Sequence, residues 1–195
     1  MDALPPILQR VKDLGFAVFD GGHAYNLNLI SIRTKSIQPN AFNDLMTCTY
    51  RETPGGSWIT KYWACTTDPG LFWLRNPMNV NGTAIIAPGQ YRGAYRLDLH
   101  AGKYLAICNR EKPIRVYRDN NKDEVLDMDP ETIQEGVFNC NIHKAGLNST
   151  RVDRWSAGCT VLREGGFIEM MNLAKAQIRF HPTWDRFTYT VLEDE

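Results

Sequence analysis

Short stretches of alternating apolar and polar residues, rich in threonine and aromatics and cut by Gly and Pro, recur along the first 120 residues and leave room for little besides β-structure. Tyr25, Leu27 and Leu29 alternate with Asn26 and Asn28. Asn43 to Glu52 and Ser57 to Thr67 repeat the pattern across Thr53-Pro54-Gly55-Gly56, which reads as a hairpin turn. Ala84–Ala87, Tyr104–Cys108 and Ile114–Tyr117 are apolar runs of buried-strand character, expected in the middle of a sheet, and Phe187, Tyr189 and Val191 alternate as a final strand. Asp68-Pro69-Gly70 ends a strand, and Leu71 to Gly82 is expected to be a connecting loop.

Two segments carry a helical period instead. Pro5-Pro6 followed by Ile7, Leu8, Val11 and Leu14, with Gly15 beyond, predicts a short amphipathic helix packed on the body within residues 1–15. Phe167, Met170, Met171 and Ala174 fall at i, i+3, i+4 and i+7 and predict a second, starting near Gly165-Gly166. The fold class expected is therefore mostly β with two or more short helices, one domain over 1–195, without repeat or linker. At 43% hydrophobic residues, a chain of 195 can bury a substantial core.

Charge narrows the partners. Lys+Arg and Asp+Glu are equal at 22 each, so no overall positive field draws nucleic acid or an acidic membrane surface. No run of eighteen apolar residues and no secretory signal pattern is present, so synthesis in the cytoplasm is expected. The five cysteines, Cys48, Cys65, Cys108, Cys140 and Cys159, are scattered and odd in number, which argues against a disulfide framework.

Against this background stands the stretch from Asn141-Ile142-His143 to Arg154-Trp155-Ser156-Ala157-Gly158-Cys159. A thiol attacks carbonyl carbon as thiolate and needs a base or a positive neighbour. His143 is the candidate base, Gly158 permits a tight turn before the sulfur, and N–H groups on such a turn can face an oxyanion. Two structural readings compete: cysteine is among the most buried residue types, and a lone histidine often serves packing. Cys140 with His143 also invites a zinc reading, which lacks a fourth ligand at any suggestive spacing. Asp119 to Glu124 lacks the glycine and terminal glutamate of a calcium loop. His23 and His181 have no partner in the sequence; His100, at a strand end, could fold toward the site.

The segment His143 to Cys159, ending Ser156-Ala157-Gly158-Cys159, resembles the catalytic signature of L,D-transpeptidases, in which a histidine precedes a Ser-x-Gly-Cys turn. The resemblance covers about Gly136 to Val161, and upstream the chain agrees only in β-character. It implies a β-rich catalytic domain with no metal and no cofactor. It further implies that Cys159 is the nucleophile and His143 the base, oriented by the Lys144 carbonyl. Backbone N–H groups at Gly158 and Cys159 would form the oxyanion hole, with Ser156 supporting the turn. The implied substrate is a peptidoglycan stem peptide cleaved at an L-to-D bond through a thioester, with water or an amine as acceptor. The implied place of action is the cell wall, reached after release or as a virion-borne lytic component. A catalytic Cys159 is expected to have a pKa well below that of Cys140 and to alkylate fast at pH 6 to 7.

Many members carry a second histidine where this chain has Ala157, and an arginine where it has Val161. Either Arg163 or Arg154 is expected to meet the substrate carboxylate instead, or the substrate itself differs. Trp155 and Tyr91 are the other substrate-binding candidates, Tyr91 projecting over the site from the turn after Pro88-Gly89. The alternative function is a non-catalytic wall- or peptide-binding module that keeps the fold.

Overall fold

A computed structural model describes residues 2–35 and 38–194. Its frame is a closed eight-stranded barrel. In chain order the strands are β1 (Asn28–Arg33), β2 (Asp44–Arg51), β3 (Trp58–Thr66), β4 (Thr83–Ile86), β5 (Gly89–His100), β6 (Tyr104–Asn109), β7 (Ile114–Asp119), β8 (Gln134–Gly136), β9 (Ile142–Lys144), β10 (Thr160–Leu162) and β11 (Arg186–Glu193). The barrel runs β1-β11-β5-β6-β9-β10-β3-β2 and closes on β1, while β4-β7-β8 form a separate three-stranded sheet. Among the described residues three α-helices accompany them: α1 (Pro6–Asp13), α2 (Leu71–Arg75) and α3 (Glu164–Phe180). The chain is thus β-rich with few helices.

The alternation in the sequence becomes the two faces of the barrel wall. On β1, Leu29 joins the main core while Ile30 turns outward into a second cluster with Leu8 and Val11 of α1 and Leu192 of β11. That is why α1 lies on the β1–β11 wall: its apolar stripe covers the outward side chains. Thr53–Gly56 forms the β2–β3 turn, with Gly56 N–H donating to the Thr53 carbonyl at 3.0 Å and Gly55 at φ +68°. From α3, Phe167, Met170, Met171 and Ala174 enter the main core.

The structure departs from the sequence reading in four places. Leu71–Arg75 is helical rather than loop, and it anchors the site wall through Trp73, whose indole N–H donates to the Arg154 carbonyl at 3.0 Å. Gly89–His100 is a twelve-residue strand whose mixed polarity masks it, because its later residues face solvent on one side. Ala84–Ile86 and Ile114–Tyr117 belong to the small sheet, where β7 is central and β4 an edge, and only Tyr104–Cys108 lies in the barrel. The β1 strand begins at Asn28, so Tyr25 precedes it. Ala84, Ile86, Ile114 and Val116 nevertheless pack into the barrel's core cluster, so the two sheets share one apolar interior.

A polar knot sits inside the barrel. Arg33 Nε lies 2.9 Å from Asp68 Oδ1, and its Nη2 donates to the carbonyls of Thr67 (3.2 Å) and Ile86 (2.9 Å). Asp44 accepts from the Thr67 amide and hydroxyl, both at 2.7 Å, and from the Thr34 amide at 2.8 Å. The Ile86 bond ties the small sheet to the barrel. Among the described residues no helix is long and apolar enough to cross a membrane.

Candidate functional site

The pairing of their strands brings the histidine and the cysteine to one cavity, with no hydrogen bond between them among the described residues. β9 and β10 run parallel with Ile142 opposite Thr160 and His143 opposite Val161, which sets Cys159, one residue before β10, beside Asn141. The intervening chain leaves the sheet and is pinned at several points. Val152 N–H donates to the Asn40 carbonyl at 3.2 Å, Asn40 Nδ2 to Asp153 at 2.7 Å, and Gly70 N–H to the Ser156 carbonyl at 2.9 Å. Gly70 faces the Asp153 backbone so closely that a Cβ there would sit 2.0 Å from its carbonyl oxygen.

Ser156 shapes the turn. Its hydroxyl donates to the Cys159 carbonyl at 2.8 Å and accepts from Gly158 N–H at 3.2 Å. Gly158 has φ +114°, and an added Cβ would lie 2.5 Å from the Ala84 carbonyl oxygen of β4. Glycine is required twice over, by the dihedral and by the approach of the small sheet. Gly158→Ala is expected to cost about 2 kcal/mol and to shift the thiol; a urea midpoint and Cys159 alkylation rate equal to wild type would contradict this. The oxyanion donors differ from expectation in one respect. The Gly158 amide is taken by Ser156, whereas the Cys159 amide, like that of Ala157, has no hydrogen bond among the described residues.

His143 is 2% exposed. Its Nδ1 lies 2.9 Å from the Lys144 carbonyl, an acceptor only, so Nδ1 carries the proton and Nε2 presents a lone pair. The Tyr104 hydroxyl donates to the same carbonyl at 3.3 Å, and Nε2 has no partner among the described residues. His100, which ends β5, stacks on His143 with ring centres 3.9 Å apart and planes 20° from parallel. The β5–β6 turn places it there: Ala101 and Gly102 both have positive φ, and His100 pairs with Tyr104 across the hairpin. Asn141 holds it further. Its Oδ1 accepts from Asn109 N–H (3.0 Å) and Arg110 Nη1 (3.3 Å), leaving Nδ2 to donate to His100 Nδ1 at 3.0 Å. His100 therefore supplies a second imidazole at the site from a distant strand, while residue 157 is alanine.

Both reacting groups rest neutral. Burial, reinforced by the neighbouring His100, brings the His143 pKa down to about 3, although the Lys144 and Trp155 carbonyls favour the charged ring. Burial pushes the Cys159 thiol up to about 11, against a lowering contribution from the Asn141 amide. The sulfur rests as a thiol: Arg110 on the cavity wall lowers its pKa less than burial raises it, and Sγ–H donates to the Asn139 carbonyl at 3.6 Å while accepting from Asn141 N–H at 3.4 Å. Burial also raises the thiols of Cys48, Cys65, Cys108 and Cys140, that of Cys140 further than that of Cys159.

Cys159 and His143 line one cavity of about 810 Å³ between the barrel mouth and the small sheet. Trp155, 43% exposed, and Arg154 form part of its wall. The Trp155 ring lies over Gly146, where a Cβ would come within 2.6 Å of it, and the Arg154 guanidinium stacks on Phe72 at 3.9 Å. Two candidates fall elsewhere. Tyr91 is in the core with its hydroxyl on the Ala87 and Arg115 carbonyls, because β5 points it inward. Arg163 precedes α3 and faces Phe42 at 5.5 Å, since the strand alternation after Cys159 directs it away. Sequence reasoning missed Tyr104, Asn139, Asn141, Arg110 and Arg118, all of which line the cavity; only Asn141, two residues before His143 on the same strand face, carried a local signal. Among the described residues no group of three or more His, Cys, Asp or Glu could hold a metal ion. Compared with protein families, curated proteins and solved structures, the chain finds no match.

Proposed function

We propose that this chain is a cysteine acyl-transfer enzyme acting on peptidoglycan stem peptides at an L-to-D peptide bond. The observation that carries the reading is His143 on β9 and Cys159 just before the parallel strand β10 at one cavity, the imidazole held by Nδ1 so that its Nε2 lone pair is free. The motif residues Ser156 and Gly158 support it by locking the turn and leaving the Cys159 amide unengaged.

In the proposed reaction His143 Nε2 takes the Sγ proton as the sulfur bonds to the substrate carbonyl carbon. The Cys159 amide donates to the resulting oxyanion. Collapse breaks the C–N bond; the departing amine receives the proton from the imidazolium, leaving a thioester on Cys159. Water or an acceptor amine then attacks the thioester carbon, delivering a proton through His143 back to the sulfur. The resting pKa values suit this order, because proton transfer accompanies attack rather than preceding it. The imidazolium that forms in passing is stabilised through Nδ1–H on the Lys144 carbonyl.

One observation favours a second reading, a peptide-binding module: a thiol titrating near 11 beside an imidazole titrating near 3 is a weak resting nucleophile. Incubation with muropeptides, followed by mass, separates the two. Loss of a terminal residue without dimers identifies hydrolysis, and dimers identify transfer. Saturable binding without product favours the module. Turnover that persists in Cys159→Ala rules the mechanism out.

A further inference from the structure

The cavity is electrostatically one-sided. Lys103, Arg110, Arg118 and Arg154 line it, and no Asp or Glu does among the described residues. Two of these cations are accounted for. Arg110 Nε lies 3.1 Å from Asp98, and its other nitrogens donate to the Asn109 and Leu99 carbonyls and to the side chains of Asn139 and Asn141. Arg154 stacks on Phe72 at the rim. Lys103 is exposed on the β5–β6 turn.

Arg118 is different. It projects from β7, the central strand of the small sheet, and is only 7% exposed, yet it faces no carboxylate among the described residues. Its Nε donates to Gln134 at 2.9 Å and its Nη1 to the Gly82 carbonyl at 3.3 Å, both neutral acceptors, and its guanidinium lies over Phe138 at 4.6 Å. Its Nη2 makes no hydrogen bond among the described residues and, unlike His143 Nε2, is not sealed from solvent. Burying a guanidinium without a counter-ion is costly, and a protein seldom holds one in place with neutral partners on one side and nothing on the other. The side chain is oriented, stacked and left with a free planar donor edge, the form that pairs with a carboxylate. It lies beside Cys140, whose buried thiol it draws down in pKa, and Cys140 is the residue before Asn141 on the Cys159 side of the cavity.

We infer that Arg118 is the carboxylate-binding residue of this cavity and that the ligand is a peptide bearing a free carboxylate, paired with the Nη2 edge. The excess of cations around it sets the sign of the ligand, and the fork held by Gln134 and Gly82 sets where the carboxylate sits. The assignment rests on this cavity being the peptide site, as proposed above, but not on any chemistry at Cys159.

The test is a binding measurement in the Cys159→Ala protein by titration calorimetry. The probes are a stem tetrapeptide with free carboxylates and the same peptide with every carboxyl converted to carboxamide. The free acid is expected to bind about ten- to a hundredfold more tightly, the range of one charge-assisted hydrogen-bonded contact. With Arg118→Gln added, the two probes should bind within about twofold of each other. Equal binding of both probes to Cys159→Ala, a preference that survives Arg118→Gln, or no saturable binding of the acid would each overturn the assignment. Should Arg118→Gln unfold, Arg118→Lys decides: it keeps the charge without the fork, so the preference should fall at least about threefold, and an unchanged preference overturns it. Preference without turnover in the unaltered chain would sink the catalytic reading alone; turnover without preference would sink this one alone.

Discussion

His143→Ala is expected to lower muropeptide turnover by about 10²- to 10⁴-fold, the range for a positioned general acid–base, with the loss in kcat rather than KM. The reason lies in the resting state. Cys159 is a thiol pushed to about 11 and gains nothing from a standing ion pair, so the barrier to attack includes the whole deprotonation. A basic lone pair on the imidazole lowers that barrier, and Nδ1–H on the Lys144 carbonyl is what keeps it on Nε2. Wild-type kcat in His143→Ala would exclude His143 as the base.

The same residue shapes stability against acid. The unfolded imidazole titrates at 6.5 and the folded one near 3, so as pH falls the unfolded chain takes the proton first. The stabilisation present above pH 6.5 is lost as pH drops toward 3, at up to about 1.4 kcal/mol per pH unit. Urea midpoints between pH 7.5 and 4 should show this slope in the wild type and lose it in His143→Asn. Equal acid slopes in the two proteins would contradict a buried neutral imidazole.

Arg33→Met is expected to cost about 3–5 kcal/mol at pH 8, since it leaves a buried carboxylate without its counter-charge. Asp68 is 2% exposed and already raised to about 6, burial and the neighbouring Asp44 outweighing Arg33. Without Arg33 its pKa rises further. A carboxyl raised in the folded state contributes stability at low pH and loses it as pH rises, so the cost of the substitution should be smaller at pH 5 than at pH 8. The variant also severs the Ile86 contact that joins the small sheet to the barrel, and with it the β4 support under Gly158. Denaturant unfolding at the two pH values measures both effects; a loss under about 1 kcal/mol at pH 8 would mean that water or another group replaces the guanidinium.

Local sequence was a fair guide wherever one short-range interaction decides the structure. The Thr53–Gly56 turn, the period of Phe167, Met170, Met171 and Ala174, and the Pro-started helix at Pro6 all appear where their residues place them. The glycine before Cys159 was legible for the same reason, a dihedral that only glycine adopts without strain; the Lys144 carbonyl on His143 was implied by the resemblance alone. Gly89–His100 was not, because half of that strand faces solvent and its polarity follows its surroundings rather than a local rule.

What no local pattern contains is pairing between distant segments. Tyr91 and Arg163 were reasonable binding candidates by chain proximity, and the pleat turned one into the core and the other away from the site. His100 and Arg118 reach it from sequence separations of 43 and 25 residues relative to His143, carried by a hairpin and by the small sheet. The sequence by itself determined the β-rich class, the helical ends and the chemistry available on the Ser156–Cys159 turn, because these depend on side-chain type and on the dihedrals of a few adjacent residues. Only the tertiary structure decided which charges and rings surround that turn and how far burial moves its pKa values, because desolvation and strand register are properties of the closed barrel and not of any segment of the chain.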